Sequence, residues 1–282
     1  MSWIDRLFAP RWAGAWTLFR WLYVAVALIT HVPRVLDIRD AYASDDLVIA
    51  FGLLPLANWV VLTPPAAYAL WGVGIAGLAL LAIGGRVAKP GLVVWVVAMW
   101  LLLAAEATNI KAYDRLLAWQ ALPLLFAPIG ERNLTAKWRS PFAYWVLVVL
   151  YATMYSMTGW AKVLLEPHWL DGSVLAYTLV ELNFGGKPLG VWLSGHMGLC
   201  RALGIATMIF ECGFPLFVLI RKTNPWWLLA GVGFHLGILL TLHAGTLSLA
   251  VIAAYPVLLD AELARRWWAR IAAPVTTAPL PA

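Results

Sequence analysis

The chain has 282 residues, 63% of them apolar and only 12% charged, with a mean hydropathy of +0.81. A water-soluble domain carries about twice that charged fraction, so the composition excludes one and points to a bilayer, where a spanning helix needs about 20 apolar residues. The net charge of +6 falls in short loops between apolar runs, which fits membrane topology and not nucleic-acid binding.

In chain order the apolar runs cover residues 15–32, 66–84, 91–105, 116–130, 142–160, 203–220, 226–242 and 247–259. They predict an all-α, polytopic membrane bundle of about eight transmembrane helices. Residues 47–62 are also apolar, but Gly52, Pro55 and Asn58 interrupt them, so this stretch reads as re-entrant or interfacial. Residues 1–272 read as one membrane domain. The Pro-, Thr- and Ala-rich residues 273–282 read as a disordered tail. The 18 tryptophans suit the headgroup level on both sides. Arg11 and Arg20 precede or open the first run and no small-residue cleavage site follows it, so no cleavable leader is expected. Cys200 and Cys212 lie in or beside one run, where a disulfide between them cannot close.

The loops supply an orientation. Arg6 and Arg11 precede the first run, and Arg86 and Lys89 link the second to the third. Arg132, Lys137 and Arg139 link the fourth to the fifth, Arg221 and Lys222 the sixth to the seventh, and Arg265, Arg266 and Arg270 follow the eighth. The alternate loops hold Asp37, Asp40, Asp45 and Asp46, or mix both signs. Lysine and arginine mark the cytoplasmic side, so both termini are expected there. Two long loops, residues 33–65 and 161–201, then face outward, and loops of that length are functional or structured in their own right.

An ionisable side chain at membrane depth costs about 2.5–3.5 kcal/mol, so each is a functional candidate. Four stand out: Arg20, Lys162, Glu211 and His235. Lys162 ends the segment Tyr155-Ser-Met-Thr-Gly-Trp-Ala-Lys162. It is either a snorkelling anchor or a base with a pKa lowered by desolvation. His235, flanked by Gly231, Gly233 and Gly237, is an interhelical hydrogen-bond partner or a proton carrier. Glu211 must be paired, protonated or in a wet cavity, and a pair with Arg20 is one option. Arg20 alternatively anchors the cytoplasmic edge. No metal site is expected, since His168 and His196 lack ligand spacing and no HExxH or Cys/His cluster is present. No phosphate-binding loop, GxGxxG fingerprint or GxSxG elbow occurs, which leaves nucleotide-driven transport and serine hydrolysis without support.

Four stretches, in order along the chain, carry a family resemblance. They are Leu18-Phe-Arg20 with Tyr42-Ala-Ser-Asp-Asp46; Tyr155 to Lys162 followed by His168-Trp-Leu-Asp-Gly172; Phe210-Glu211 with Phe214-Pro215; and Phe234-His235-Leu-Gly237 followed by Leu247 to Pro256. The set resembles the HTTM domain, the membrane region shared by vitamin K-dependent gamma-glutamyl carboxylases and many bacterial proteins. The resemblance implies a multi-pass protein of a bacterial inner membrane with its active face outward. Its substrate would be a reduced quinone of the vitamin K or menaquinol type, with dioxygen and carbon dioxide as co-substrates and a secreted or membrane peptide as partner. Lys162 matches the lysine that deprotonates the quinol, His235 the seventh-helix histidine, and Glu211 the Phe-Glu-x-x-Phe-Pro carboxylate. Asn109 matches the asparagine of an Asn-His pair, with Ile110 where the family has histidine. Arg20, Trp160, Trp169 and Tyr177 are placed around the quinone head, although the aromatic three serve equally as interface anchors. The carboxylases carry a lumenal region after the membrane domain, and little sequence follows the last run here, so epoxidation is expected ahead of carboxylation. The other readings are a non-catalytic accessory protein for secreted-peptide maturation and a small-solute transporter. Transporters show related halves with paired broken helices, and no such symmetry is visible.

Overall fold

The computed structural model describes residues 11–43, 62–105, 111–131 and 138–272. The expected segment 47–62, apart from Leu62, lies outside the described residues, as do Asp45, Asp46, Asn109, Ile110, Arg132, Lys137 and the tail. Within the described residues the chain is helical, apart from one antiparallel pairing of β1 (Arg11–Trp12) with β2 (Trp138–Arg139). The helices are α1 (Ala13–His31), α2 (Ile38–Tyr42), α3 (Pro64–Ile83), α4 (Ala88–Ala105), α5 (Ala112–Phe126), α6 (Phe142–Leu165), α7 (Ser173–Thr178), α8 (Pro188–Ser194), α9 (Met197–Phe217), α10 (Asn224–Thr241), α11 (Leu247–Ala253), α12 (Tyr255–Leu258) and α13 (Ala261–Ala272).

Five described helices are long and apolar enough to cross a membrane, or six if the bent pair formed by α11–α12 and α13 counts as one span. The sequence runs behind the remaining expected spans are weaker for visible reasons. α5 has 15 residues with Pro123 inside it, a length of about 22 Å at 1.5 Å per residue, short of a bilayer core of about 30 Å. α10 has 18 residues, but Asn224, Pro225, two tryptophans and His235 dilute its apolarity. The last run breaks at Ala254, between α11 and α12, where Pro256 follows as a residue that cannot donate to the preceding turn.

Lipid supplies no hydrophobic drive between helices, so close packing must come from small residues. α3 and α4 show this best. A Cβ on Gly77 would lie 2.8 Å from the Gly91 carbonyl oxygen, and one on Gly91 would lie 2.7 Å from that of Gly77. The two helices are joined through Gly84 and Gly85, both at positive φ, a region that glycine enters without steric cost. α6 and α9 meet in the same way at Gly159, where a Cβ would stand 2.8 Å from the Cys212 amide nitrogen. α1 is central: the span beginning with it is 67% buried along its apolar window, against 28% for α3. Trp16, Phe19, Tyr23 and Ala27 on α1 fill the middle of the core.

The expected outward loop 161–201 is partly helix. α6 runs on to Leu165 and α9 starts at Met197, with α7 and α8 between them. Cys200 and Cys212 are both free thiols.

Candidate functional site

The segment Tyr155–Lys162 lies within α6, and its 3.6-residue period puts Tyr155, Gly159 and Lys162 along one face. Because Gly159 lets the α9 backbone approach, the next turn of α6 delivers Lys162 to Glu211. Lys162 Nζ stands 2.7 Å from Glu211 Oε2 and also donates to the Thr158 carbonyl oxygen at 3.3 Å. The carboxylate side chain is 7% exposed and the lysine side chain 17%. This is a nearly buried ion pair, in which removing either partner strands a charge. The ammonium also lies 5.1 Å from the Trp169 ring centroid, a cation–π distance. Trp169 is itself fixed by donating its indole N–H to Glu166 at 2.7 Å.

About two turns deeper on the same face of α6, Tyr155 is the middle of a buried polar chain. Its hydroxyl is 2.7 Å from His235 Nε2 and 2.8 Å from the Tyr255 hydroxyl. His235 Nδ1 is buried with no hydrogen-bond partner. The Tyr155 ring packs on Phe214, with centroids 4.2 Å apart, and edge-on to Phe210 at 5.3 Å. Phe210 and Phe234 also line an open apolar recess of about 350 Å³ between α9 and α10, flanked by Leu175 of α7, Leu179 just after it and Leu193 of α8. The floor of the recess includes Gly233 and Gly237, which face open space. The site thus combines an ion pair, a three-membered tyrosine–histidine chain and an adjoining apolar recess.

Of the residues expected at a site, Lys162, Glu211, His235 and Trp169 are brought into this region. The partner of Glu211 is Lys162 and not Arg20. Arg20 is 1% exposed and donates from Nη1 to the carbonyl oxygens of Ile129 and Glu131, beyond the C-terminal end of α5. A Cβ on Gly84 would meet that guanidinium, at 2.6 Å from Nη1. Arg20 therefore ties α1 to the chain beyond α5. Trp160 and Tyr177 are 51% and 69% exposed and join none of these contacts. Asn109 lies outside the described residues.

Sequence reasoning missed two things. Tyr155 and Tyr255 are the partners that hold His235, and a tyrosine in an apolar run gives no cost signal. A second buried cluster also escaped notice: Arg34 Nη2 bonds Asp114 Oδ2 at 2.6 Å, its Nη1 donates to the Tyr42 hydroxyl at 2.7 Å, and His31 Nε2 lies 3.5 Å from Asp114 Oδ1. Its members sit at the ends of runs, where charge is unremarkable. In the turn after α6, His168 Nδ1 and Asp171 Oδ2 are 3.0 Å apart and Ser173 donates to Asp171 Oδ1 through its hydroxyl and amide. The Ser173 hydroxyl, and then His168, hold the exposed Asp171 carboxyl well below the usual carboxylate range. Among the described residues no three His, Cys, Asp or Glu side chains group as metal ligands.

No protein-family model, curated protein or solved structure matches this chain.

Proposed function

We propose that this chain is a membrane enzyme that oxidises a reduced quinone of the vitamin K or menaquinol type to its epoxide with dioxygen, resembling the HTTM region of the gamma-glutamyl carboxylases. In the overall reaction a quinol and dioxygen give the epoxide and water. The single observation that carries the reading is the nearly buried Lys162–Glu211 pair, 2.7 Å apart, on the same helix face as the Tyr155–His235–Tyr255 chain.

The pair acts as one protonic unit. Joined to a carboxylate, Lys162 is an ammonium and has no lone pair to offer. Proton transfer within the pair frees the Lys162 amine as the base, or Glu211 takes the substrate proton directly. Both routes end alike, with a neutral Glu211 carboxyl and a Lys162 ammonium beside the quinol anion. Total charge in a water-poor site is then unchanged, which avoids the cost of creating a new buried charge. The chain's own residues fit such a substrate: a cation and an acceptor for a phenolic head, Trp169 beside them, and the apolar recess by Phe210 and Phe234 for a hydrocarbon tail. His235, held by Tyr155, is positioned to pass or hold a proton deeper in the site.

In this reading α5, α10 and the broken α11–α12 segment join the five long helices to make about eight spans. The basic loops then put both termini in the cytoplasm and Lys162 toward the outer side of a bacterial inner membrane. Carbon dioxide and a secreted or membrane peptide glutamate enter only if carboxylation accompanies epoxidation.

The salt bridge itself favours one competing reading, an accessory protein in which Lys162 and Glu211 merely hold α6 to α9. Purified protein given menaquinol and dioxygen separates the two. The enzyme reading expects epoxide from the wild type and a loss of about 10²-fold or more in Lys162→Ala and Glu211→Gln. Folded protein that binds no quinol and yields no epoxide favours the accessory reading.

A further inference from the structure

We propose that the turn between α9 and α10 and the helix α13 together form a headgroup site for an anionic phospholipid, independent of the chemistry at Lys162. α13 turns by 99° from the direction of α11–α12. Its first turns pack on the bundle through Ala264, which is 8% exposed and belongs to the core, with Leu263 half-buried, whereas Arg266 and Trp267 are exposed. A helix turned across the direction of the spans and seated on the end of the bundle runs along the membrane interface, where its exposed Trp267 indole is free to meet lipid.

Asn224 fixes α13 beside the turn. Its amide nitrogen donates to the carbonyl oxygens of Val218 at 2.7 Å and Leu258 at 2.9 Å, and its amide oxygen accepts from the Asp260 backbone N–H at 2.9 Å. Arg221 Nε adds a contact of 3.5 Å to Asp260 Oδ1. These contacts hold the turn, with Arg221 and Lys222, beside the start of α13, with Arg265 and Arg266, and Asp260 and Glu262 lie among the cations. Those two carboxylates orient the cations without cancelling them. Glu262 accepts from Arg265 at two points, Nε at 3.1 Å and Nη2 at 2.8 Å, and from Arg266 Nε at 3.0 Å. A guanidinium has five N–H donors in a planar fork, so each arginine keeps donors for phosphate oxygens. Trp226 and Trp267, 71% and 64% exposed, supply the interface anchors expected at headgroup depth. Arginines with spare forked donors, on segments that also expose indoles, fit a phosphate diester with hydrocarbon beneath it. A zwitterionic headgroup would bring its own ammonium against them.

The test is native mass spectrometry of the full chain in mild detergent, with equimolar phosphatidylglycerol and phosphatidylcholine of matched acyl chains. Wild type is expected to retain phosphatidylglycerol preferentially. Arg265→Gln with Arg266→Gln should weaken that retention by about fivefold per charge removed, whereas Arg265→Lys with Arg266→Lys should keep most of it. Inorganic phosphate, lacking chains, should not displace the lipid. Equal retention of the two lipids by wild type, or an unchanged preference in the glutamine variant, overturns the proposal. If the glutamine variant does not fold, a salt titration of wild type decides: the preference should fall as salt rises, and a salt-independent preference overturns it.

Discussion

Glu211→Leu isolates the ion pair most cleanly, because it removes the acceptor while leaving a similar volume on α9. In wild type the two charges stand 2.7 Å apart, an attraction of about 6 kcal/mol at an effective dielectric of 20, most of which offsets the desolvation of both groups. The loss on removing one partner is therefore set by the stranded charge and not by the Coulomb energy, about 3–5 kcal/mol for a fully buried pair. Lys162 keeps 17% of its side chain exposed and can swing toward headgroups, so the lower figure applies, about 3 kcal/mol. For a chain of this size that corresponds to a fall in Tm of about 6–12 °C. The double variant Glu211→Leu with Lys162→Met carries no unpaired charge and should recover most of the fall. Thermal unfolding of the two single variants and the double, followed by tryptophan fluorescence in one detergent, gives the coupling directly. Additive losses in the double variant would refute the claim that these side chains are energetically a pair.

Tyr155→Phe leaves His235 Nε2 buried without its 2.7 Å partner and should cost about 1–3 kcal/mol, read as a lowered Tm at unchanged helicity; Tyr255→Phe, which keeps the histidine bond, should cost less. Arg20→Leu frees the Ile129 and Glu131 carbonyl oxygens that the guanidinium now holds. Hydrogen exchange should then rise at Gly85, whose amide bonds to Gly130 in the same corner at 2.8 Å, and unchanged exchange there would argue against a clamp. Asp171 has a carboxyl pKa held below its usual value by Ser173, so its contribution is present above the unfolded pKa and is lost only as pH falls through the lower, folded one. The Ser173 amide should stay protected at about pH 3, where a free aspartate is largely protonated; Asp171→Asn should lose that protection at neutral pH.

Hydropathy made the bundle legible because a bilayer demands long apolar runs, and it located α1, α3, α4, α6 and α9. Its count of about eight goes beyond the five long helices, because α5 is short with Pro123 inside it and the last run breaks at Ala254. It also read Arg265, Arg266 and Arg270 only as a basic loop. Yet Glu262 with Arg265 and Arg266 at helical spacing signals a surface helix. At the site, Lys162, Glu211 and His235 were visible because each is costly in hydrocarbon. Their partners were less so. Spacing within one helix shows which residues share a face, but it does not show that Gly159 brings α6 to Glu211 and not to Arg20. Tyr155 and Tyr255 were silent because a hydroxyl that finds a partner leaves no trace in hydropathy.

The proposed function has dioxygen consumed at a quinol through the Lys162–Glu211 pair. Isotopically heavy dioxygen supplied to the purified protein with menaquinol tests it most directly, with the product epoxide weighed by mass spectrometry. Wild type is expected to give an epoxide with one heavy oxygen atom, and labelled epoxide should be lost in both Lys162→Ala and Glu211→Gln. Labelled epoxide formed equally by wild type and by folded Lys162→Ala and Glu211→Gln, or quinol returned unlabelled by the wild type, would contradict it.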